Sequence, residues 1–523
     1  MRKWICVVLT LILVLGLFAG CTKPSGPSDG TQPVDKTISD EKLTYTIFAY
    51  GLQQYDGQNA DRVISVLEEK FNVKLKFTGA PWDGWQEKLS SLINSGQTPD
   101  LFFALPNQAS YANYVKNEMM LPLDAYVTAE ETPYLSALLG SDNFKNLTFD
   151  GKHYFMPVVC PQNNHMIVVR RDWMEKLNIE APKTLEEFTA MLQKFTENDP
   201  DGNGKKDTYG MTASSTLDWF VHFKTSYGVT PGWSKNSEGK YQLDVFSDGY
   251  ADYLSYLQNL YAKGYLKQEF YLGMDSDADE DFAAGRAGCY LTNNGMKIEQ
   301  ITDTLGAADP SAEIDVIPVP SATAQGSFVG FGGYWGGWNI SADAKEPMRL
   351  IQMLDYISSP EGQMLMTYGI EGVHYTVQDG NFVPNIAERQ EEGDDKWQNP
   401  SGEPIGPYCI GQYFTNNIYT IENGQVKIRF DYGFFSNPEI VEKANQYSEN
   451  ITVNLEPVNI LDFPSDYNKI MARMNDKIEI LSVRIISGQL TVEEGLAELQ
   501  AELKTLGYEK MVGYVTETMS KFE

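Results

Sequence analysis

The chain is poor in the residues that catalytic and metal chemistry most often use. It holds four histidines and five cysteines in 523 residues. His153, His165, His222 and His374 show no metal-ligand spacing and stand beside no serine or cysteine motif. Cys160, Cys289 and Cys409 are widely spaced and odd in number, so they cannot all pair within the chain, and buried free thiols are expected. Positive charge is scarce as well. Lys and Arg total 41 against 71 Asp and Glu, a formal net charge of −30. Such a surface, with no basic stripe, repels nucleic acid and anionic headgroups. After residue 20 there is no apolar run of membrane-spanning length. The glycine-rich run 330–337 lacks the Lys-Ser/Thr pair of a phosphate loop. Aromatic residues are abundant, with 9 Trp, 30 Tyr and 25 Phe, which argues against disorder in so acidic a chain.

The amino terminus carries a distinct signal. Arg2 and Lys3 precede the apolar run 4–19, and Gly20 and Cys21 follow it. A basic start, a short apolar stretch and small residues before a cut read as an export signal. Phe18-Ala19-Gly20-Cys21 resembles a bacterial lipobox, with Phe18 where Leu is usual. The resemblance implies that residues 1–21 are a signal segment ending at Cys21. That cysteine would become the lipidated first residue, the sole membrane anchor, at the extracellular face of the cytoplasmic membrane. Residues 22–42, rich in Pro, Ser, Gly and Asp, read as a flexible linker.

Beyond the linker, strand and helix patterns alternate. Leu43, Tyr45 and Ile47 repeat at period two, as do Val73, Leu75 and Phe77. Val63, Ile64, Leu67 and Phe71 share a helix face, and so do Trp85, Leu89, Leu92 and Ile93. Residues 100–104 suit a buried strand. Thr184 and Glu187 form a capping box ahead of Leu185, Phe188, Leu192 and Phe195, and Thr491 with Glu494 opens a late helix. The pattern predicts an α/β fold with parallel sheets and helices on their faces. In such sheets ligands sit beyond the carboxyl ends of strands, here residues 50–54, 81–85 and 105–108.

Several segments together resemble the bacterial extracellular solute-binding proteins of family 1. They are residues 92–101 (LINSGQTPDL), 150–157 (DGKHYFMP), 171–173 (RDW) with 182–184 (PKT), and 359–363 (SPEGQ) followed by 369–376 (GIEGVHYT). The resemblance runs over most of residues 43–520. It implies a type II periplasmic-binding-protein-like fold, with two α/β lobes that close on a sugar across a hinge. The expected division is 43–160 with 326–390 for the first lobe and 161–325 with 391–523 for the second. It also implies a monomeric, non-catalytic receptor that binds an oligosaccharide and delivers it to the permease subunits of an ABC importer.

Asp199, Asp201, Asn203, Lys205 and Asp207 carry the sharpest local motif. Oxygen side chains at alternate positions with a glycine at the sixth, Gly204, are what an EF-hand-type calcium loop needs. Lys205 would give its carbonyl, and a structural Ca2+ would pin the loop. Position twelve is Gly210 rather than Glu, and Thr208 stands where the family's short loop often has an acid. The alternative is a metal-free Asp/Asn/Gly turn.

Sugars present apolar faces and polar edges, so aromatic rings and amide side chains are the natural ligand-binding candidates. The aromatic set is Trp82, Trp85, Trp219, Tyr334, Trp335, Trp338 and Tyr375, each of which core packing would explain as well. The polar set, chosen by position at strand ends, is Asn107, Gln108, Gln162, Asn163, Asn293 and Asn294, with Gln53 and Asn164 beside them. A secreted polysaccharide lyase or glycosidase is the catalytic alternative, since carboxylates abound, but no feature selects a pair. A sugar sensor for a membrane kinase would use the same fold and cleft.

Overall fold

The computed structural model describes residues 34–521 apart from 53–61, 82–83, 109, 161–165, 214–216, 218–219, 274, 293–301, 303, 322–326, 331, 374, 379–380, 385–413, 415–417, 430–437, 449–450, 454–462 and 465. The chain divides into two compact units at Asp35, and the first falls almost wholly outside those residues, with the lipidation candidate Cys21. The second unit carries the fold.

Its first sheet begins with β1 (Leu43–Tyr50) and β2 (Val73–Ala80), which pair in parallel from Leu43↔Val73 to Tyr50↔Ala80. β3 (Leu101–Ala104) joins the other side of β1, with Ile47 opposite Leu101. The helices Arg62–Lys70 and Trp85–Asn94 make the crossovers and bury the apolar faces read from their spacing. β2 is the edge, and its exposed Lys74 and Lys76 discourage further pairing. β4 (Phe155–Val159) closes the opposite edge. The chain then crosses to the second lobe at β5 (Met166–Arg170) and continues through β6 (Tyr209–Met211) and the hairpin β7 (Trp233–Lys235) with β8 (Tyr241–Leu243). β9 (Ala287–Thr292) and β10 (Ile314–Ile317) complete a second sheet of order β10-β5-β9-β6.

β11 (Phe328–Gly330) and β12 (Tyr334–Ile340) then return the chain to the first lobe. β12 runs antiparallel between β3 and β4, so the first sheet reads β2-β1-β3-β12-β4. This explains the glycine-rich run. A Cβ on Gly336 would lie 2.1 Å from the Phe103 ring, and one on Gly337 would lie 2.1 Å from the Phe155 ring. The glycines let core rings close over the strand.

The hairpins β13 (Tyr375–Gln378) with β14 (Asn381–Pro384), and β15 (Ile418–Glu422) with β16 (Gln425–Arg429), follow. β15–β16 docks on first-lobe residues: Asp142 donates its N–H to the Gly424 carbonyl at 2.7 Å, and Tyr419 donates to Gln363 Oε1 at 2.8 Å. The sequence reading places this stretch in the second lobe, and these bonds attach it to the first. The helix Pro438–Ser448 is on the second lobe, where Lys443 meets Asp315 at 2.8 Å. β17 (Ile451–Val453) pairs in parallel with β11.

The second-lobe core gathers the helices Leu185–Glu197, Tyr250–Ala262, Tyr467–Ile486, Val492–Leu506 and Tyr508–Met519. Both predicted caps form. Glu187 N–H donates to Thr184 Oγ1 at 3.1 Å with the reciprocal Thr184 N–H to Glu187 Oε2 at 3.1 Å, and Glu494 N–H donates to Thr491 Oγ1 at 3.2 Å. Cys160 and Cys289 are buried free thiols, as expected, and Cys409 lies outside the described residues.

Residues 36–42 depart from the linker expectation. Arg349, 2% exposed, donates to the carbonyls of Ser39 at 2.6 Å and Glu41 at 2.9 Å, which holds this stretch on the first lobe.

Replacing Gly337 by Val should lower stability by at least about 1–3 kcal/mol, the usual cost of overpacking a filled core. Urea unfolding of the two proteins measures it, and an unchanged midpoint would refute the close-approach account.

Candidate ligand-binding site

The site is defined by which strand ends face the other lobe. β4 is parallel to β3 by way of β12, and the chain leaves β4 at its carboxyl end to reach β5. β12 re-enters at the same edge. The carboxyl ends of β1, β3 and β4 therefore share one edge with the start of β12. In the second sheet, Thr292 at the end of β9 sits opposite Met166 at the start of β5, and β6 runs parallel to β9. The carboxyl ends of β6 and β9 thus lie at the edge where the crossing arrives.

An aromatic cluster occupies the first-lobe edge. Tyr50, the last residue of β1, lies edge-on to Trp335 with ring centres 5.4 Å apart. Trp335 packs on Phe103 at 4.4 Å. Tyr50 and Trp335 are both half-buried, so each keeps a face for a ligand while the rest of the ring is held. An irregularity in the β12–β4 register between Tyr334 and Gly337 breaks the strand's alternation there, which leaves Tyr334 and Trp335 both partly open. Tyr50 was flagged in the sequence only as a strand end, and that position was its one signal. Tyr334 packs edge-on to Phe144 at 6.0 Å, and burial, with the Cys160 thiol beside it, raises its hydroxyl pKa above the ordinary tyrosine value.

Three expected ligand residues belong to the core. Trp338 is 0% exposed and stacks on Phe414 at 4.6 Å. Trp85 is 1% exposed, because Tyr50 and Phe103 cover it at 6.2 and 5.8 Å. Tyr375 is 4% exposed and packs with Ile418 and Met364. A ring so covered has no face for a sugar. Among the polar candidates, Asn107 is exposed and Gln108 lines a small pocket with Trp85, Gln86, Ser110, Tyr111 and Tyr114. Behind that pocket the buried Asn339 amide accepts from the Tyr111 hydroxyl and donates to the Gly337 carbonyl at 2.9 Å, so the wall is braced by a satisfied polar network. Trp82, Gln53, Gln162, Asn163, Asn164, Trp219, Asn293 and Asn294 lie outside the described residues. Thr292 ends β9, and Thr212–Ala213 follow β6, at the edge facing the first lobe.

The crossings themselves are anchored on both sides. Cys160 donates its N–H to the Gly333 carbonyl at 2.9 Å, which ties the outgoing chain to the returning one. Thr225 Oγ1 donates to the Ser327 carbonyl at 2.7 Å, and Ser327 N–H lies 3.2 Å from the same hydroxyl. Gly333 takes the left-handed φ of 81°, which suits a glycine at a bend. Burial pushes the Cys160 thiol up to about 12, so it stays protonated.

In the loop after the helix Leu185–Glu197, the acidic side chains turn inward. Gly204 N–H donates to Asp199 at 3.1 Å, and the Asn203 amide donates to Asp201 at 2.6 Å and Asp207 at 3.1 Å. Asp199, Gly202 and Gly204 all have positive φ, which curls the loop around its own carboxylates. Partial burial, with Asp199 and Asp207 adjacent, raises the Asp201 pKa. Two carboxylates drawn to one amide, with a third on the Gly204 N–H, suit a hard cation. Among the described residues, however, no group of three or more His, Cys, Asp or Glu side chains is close enough to hold a metal as it stands.

A two-lobed α/β receptor with an aromatic edge between its lobes is the class this architecture defines. The sequence profile of the bacterial extracellular solute-binding proteins matches residues 63–391, and the chain belongs to that family. It is a binding protein rather than an enzyme. The polygalacturonan/rhamnogalacturonan-binding protein YtcQ of Bacillus subtilis is 29% identical over 385 residues, which cover 72% of this chain and 74% of that one. The fructooligosaccharide ABC transporter substrate-binding protein FusA of Streptococcus pneumoniae is 24% identical over 55% of this chain and 56% of its own. A solved structure of the alginate-binding protein AlgQ2 without calcium ion superposes with a TM-score of 0.67 at 17% identity, covering 92% of this chain and 99% of that one. The fold is therefore that of the type II binding proteins.

Burial separates the two tryptophans of β12 experimentally. Trp338→Ala should cost about 3–5 kcal/mol of stability, as for other buried aromatics. Trp335→Ala should cost clearly less, because part of its ring is already in water. Chemical denaturation that ranks them the other way would refute this division of core from surface.

Proposed function

We propose that the protein is a carbohydrate receptor that captures an oligosaccharide between its lobes and presents it to an ABC importer. The observation that carries this reading is the half-exposed Tyr50–Trp335 pair at the carboxyl edge of the first sheet. It offers a stacking surface for a sugar's apolar face where the chain crosses between lobes. The relatives YtcQ and FusA, named for oligosaccharide or polysaccharide binding, support the ligand class. Asn107 and Gln108 supply hydroxyl partners on this side, with Gln162, Asn163, Trp219, Asn293 and Asn294 as the candidates on the crossing and the second lobe. Closure turns the lobes relative to each other, with β1–β4, β12 and the hairpins that follow it in one lobe and β5–β11 with the helices from Pro438 onward in the other. Cys21 carries the lipid that keeps the receptor outside the membrane. Among the described residues no helix is long and apolar enough to cross it.

The same reading gives the acidic loop a structural calcium ion held by Asp199, Asp201, Asn203, Asp207 and the Lys205 carbonyl. The inward-turned carboxylates and the raised Asp201 pKa support it. The ion would neutralise charges that the fold otherwise crowds together.

A thermal-shift panel of neutral and acidic oligosaccharides tests the receptor. A ligand at about 100 times its Kd stabilises by about 2.7 kcal/mol. One class should raise the melting temperature, and Trp335→Ala should weaken its binding at least about tenfold, as for a central aromatic contact. A flat panel, or cleavage of a polymer, would refute the proposal.

Calcium should raise the melting temperature, and Asp201→Ala should abolish the gain. A carboxyl with a raised pKa takes up its proton early on acidification, and the proton competes with the cation. The gain should therefore shrink as pH falls, starting above the ordinary aspartate range. Without calcium the sign reverses, because ionised Asp201 disfavours the fold, so the metal-free protein should gain stability over that window. A calcium effect independent of pH would remove Asp201 from the site.

A further inference from the structure

We propose that residues 36–42 form a strap that clamps the base of the membrane tether to the first lobe, with Arg349 as the clamp. The helix Pro347–Ser358 carries Arg349 inward, where its guanidinium is 2% exposed. A buried guanidinium needs hydrogen-bond partners, and two of them come from one short stretch of backbone, residues 39–41. Arg349 donates to the carbonyls of Ser39 at 2.6 Å, Glu41 at 2.9 Å and Asn72 at 3.0 Å, and to Glu346 Oε2 at 2.6 Å. Glu346 in turn accepts the Ser39 N–H at 3.2 Å, and the Asn72 amide donates to the Asp40 carbonyl at 3.0 Å. Lys36 extends the contact to Glu131 and to the Tyr126 carbonyl at 3.4 Å. A flexible leash would leave these carbonyls to water. Here they are the cation's main ligands.

The strap lies at the amino end of the sheet. Asn72 directly precedes β2, and the strap runs into β1 at Leu43. The aromatic edge is at the opposite, carboxyl end of the same strands. The tether is thus held at the pole away from the ligand edge, and it holds the first lobe rather than the second. That what is tethered is a lipid rests on the Cys21 reading, whereas the docking of the strap does not.

Hydrogen exchange with mass analysis and limited trypsin digestion test the strap on the full chain, both membrane-held and after release. The Ser39 amide should exchange at least about tenfold slower than a free chain, and trypsin should spare Lys36 and Lys42 in the folded protein while cutting after both in the unfolded one. Arg349→Lys should loosen 36–42, since an ammonium cannot fork to three carbonyls and a carboxylate. Should that variant unfold, Glu346→Ala removes the partly exposed acid that holds both Arg349 and Ser39, and the same loosening is expected. Free-chain exchange of 36–42 in the parent protein, or cutting after Lys36 as fast in the folded as in the unfolded protein, would overturn the strap. Protection that survives both substitutions would overturn the clamp. Absence of lipid on Cys21 would change what is tethered and leave the docking result standing.

Discussion

Everything in this molecule turns on the insertion of β12 between β3 and β4. A strand returning from the other lobe has to enter an already hydrophobic sheet at its middle, and the rings of Phe103 and Phe155 lie where its side chains would go. Gly336 and Gly337 remove the conflict by having no Cβ. Once seated, the strand joins β3 to β4, which otherwise do not pair, and brings Trp335 and Tyr334 to the ligand edge. The same insertion makes the crossings neighbours, so that one backbone hydrogen bond, from Cys160 to Gly333, ties them.

That geometry divides the aromatic residues into two populations with one chemistry. Trp338, Phe414, Trp85 and Phe103 hold the sheet and its helices together, while Tyr50 and Trp335 rest on them and keep a face outward. On the second-lobe side, Thr225 grips Ser327, and the next residue but none, Lys224, is fixed by a 2.7 Å ion pair with buried Asp244. Burial alone would lower the Lys224 pKa, but Asp244, with Tyr250 and Tyr253, more than offsets it, so the ammonium stays charged. The crossing is thus fastened to firm structure.

Much of the fold was legible because it is written in local spacing. The period-two runs at 43–47 and 73–77, the helix faces of 62–70 and 85–94, and the Thr184–Glu187 box each depend on neighbours within a few residues, and each formed. β12 was not legible as a strand, since its glycines serve rings more than 170 residues away. The docking of β15–β16 on the first lobe was hidden for the same reason, and so was the strap, whose carbonyls answer an arginine about 310 residues further on.

By itself, then, the sequence determined the kind of molecule: an exported, acidic α/β chain with a curled acidic loop and the ordered motifs of a solute receptor. Caps and strand and helix periodicity act over short stretches, so spacing is enough to read them. Which tryptophans face a ligand was decided only by the tertiary structure. Trp85, Trp335 and Trp338 have equal reason to leave water, and what separates them is whether a distant strand brings another ring to cover them. Phe414 covers Trp338 in this way, and the irregular register at the start of β12 leaves Trp335 half open.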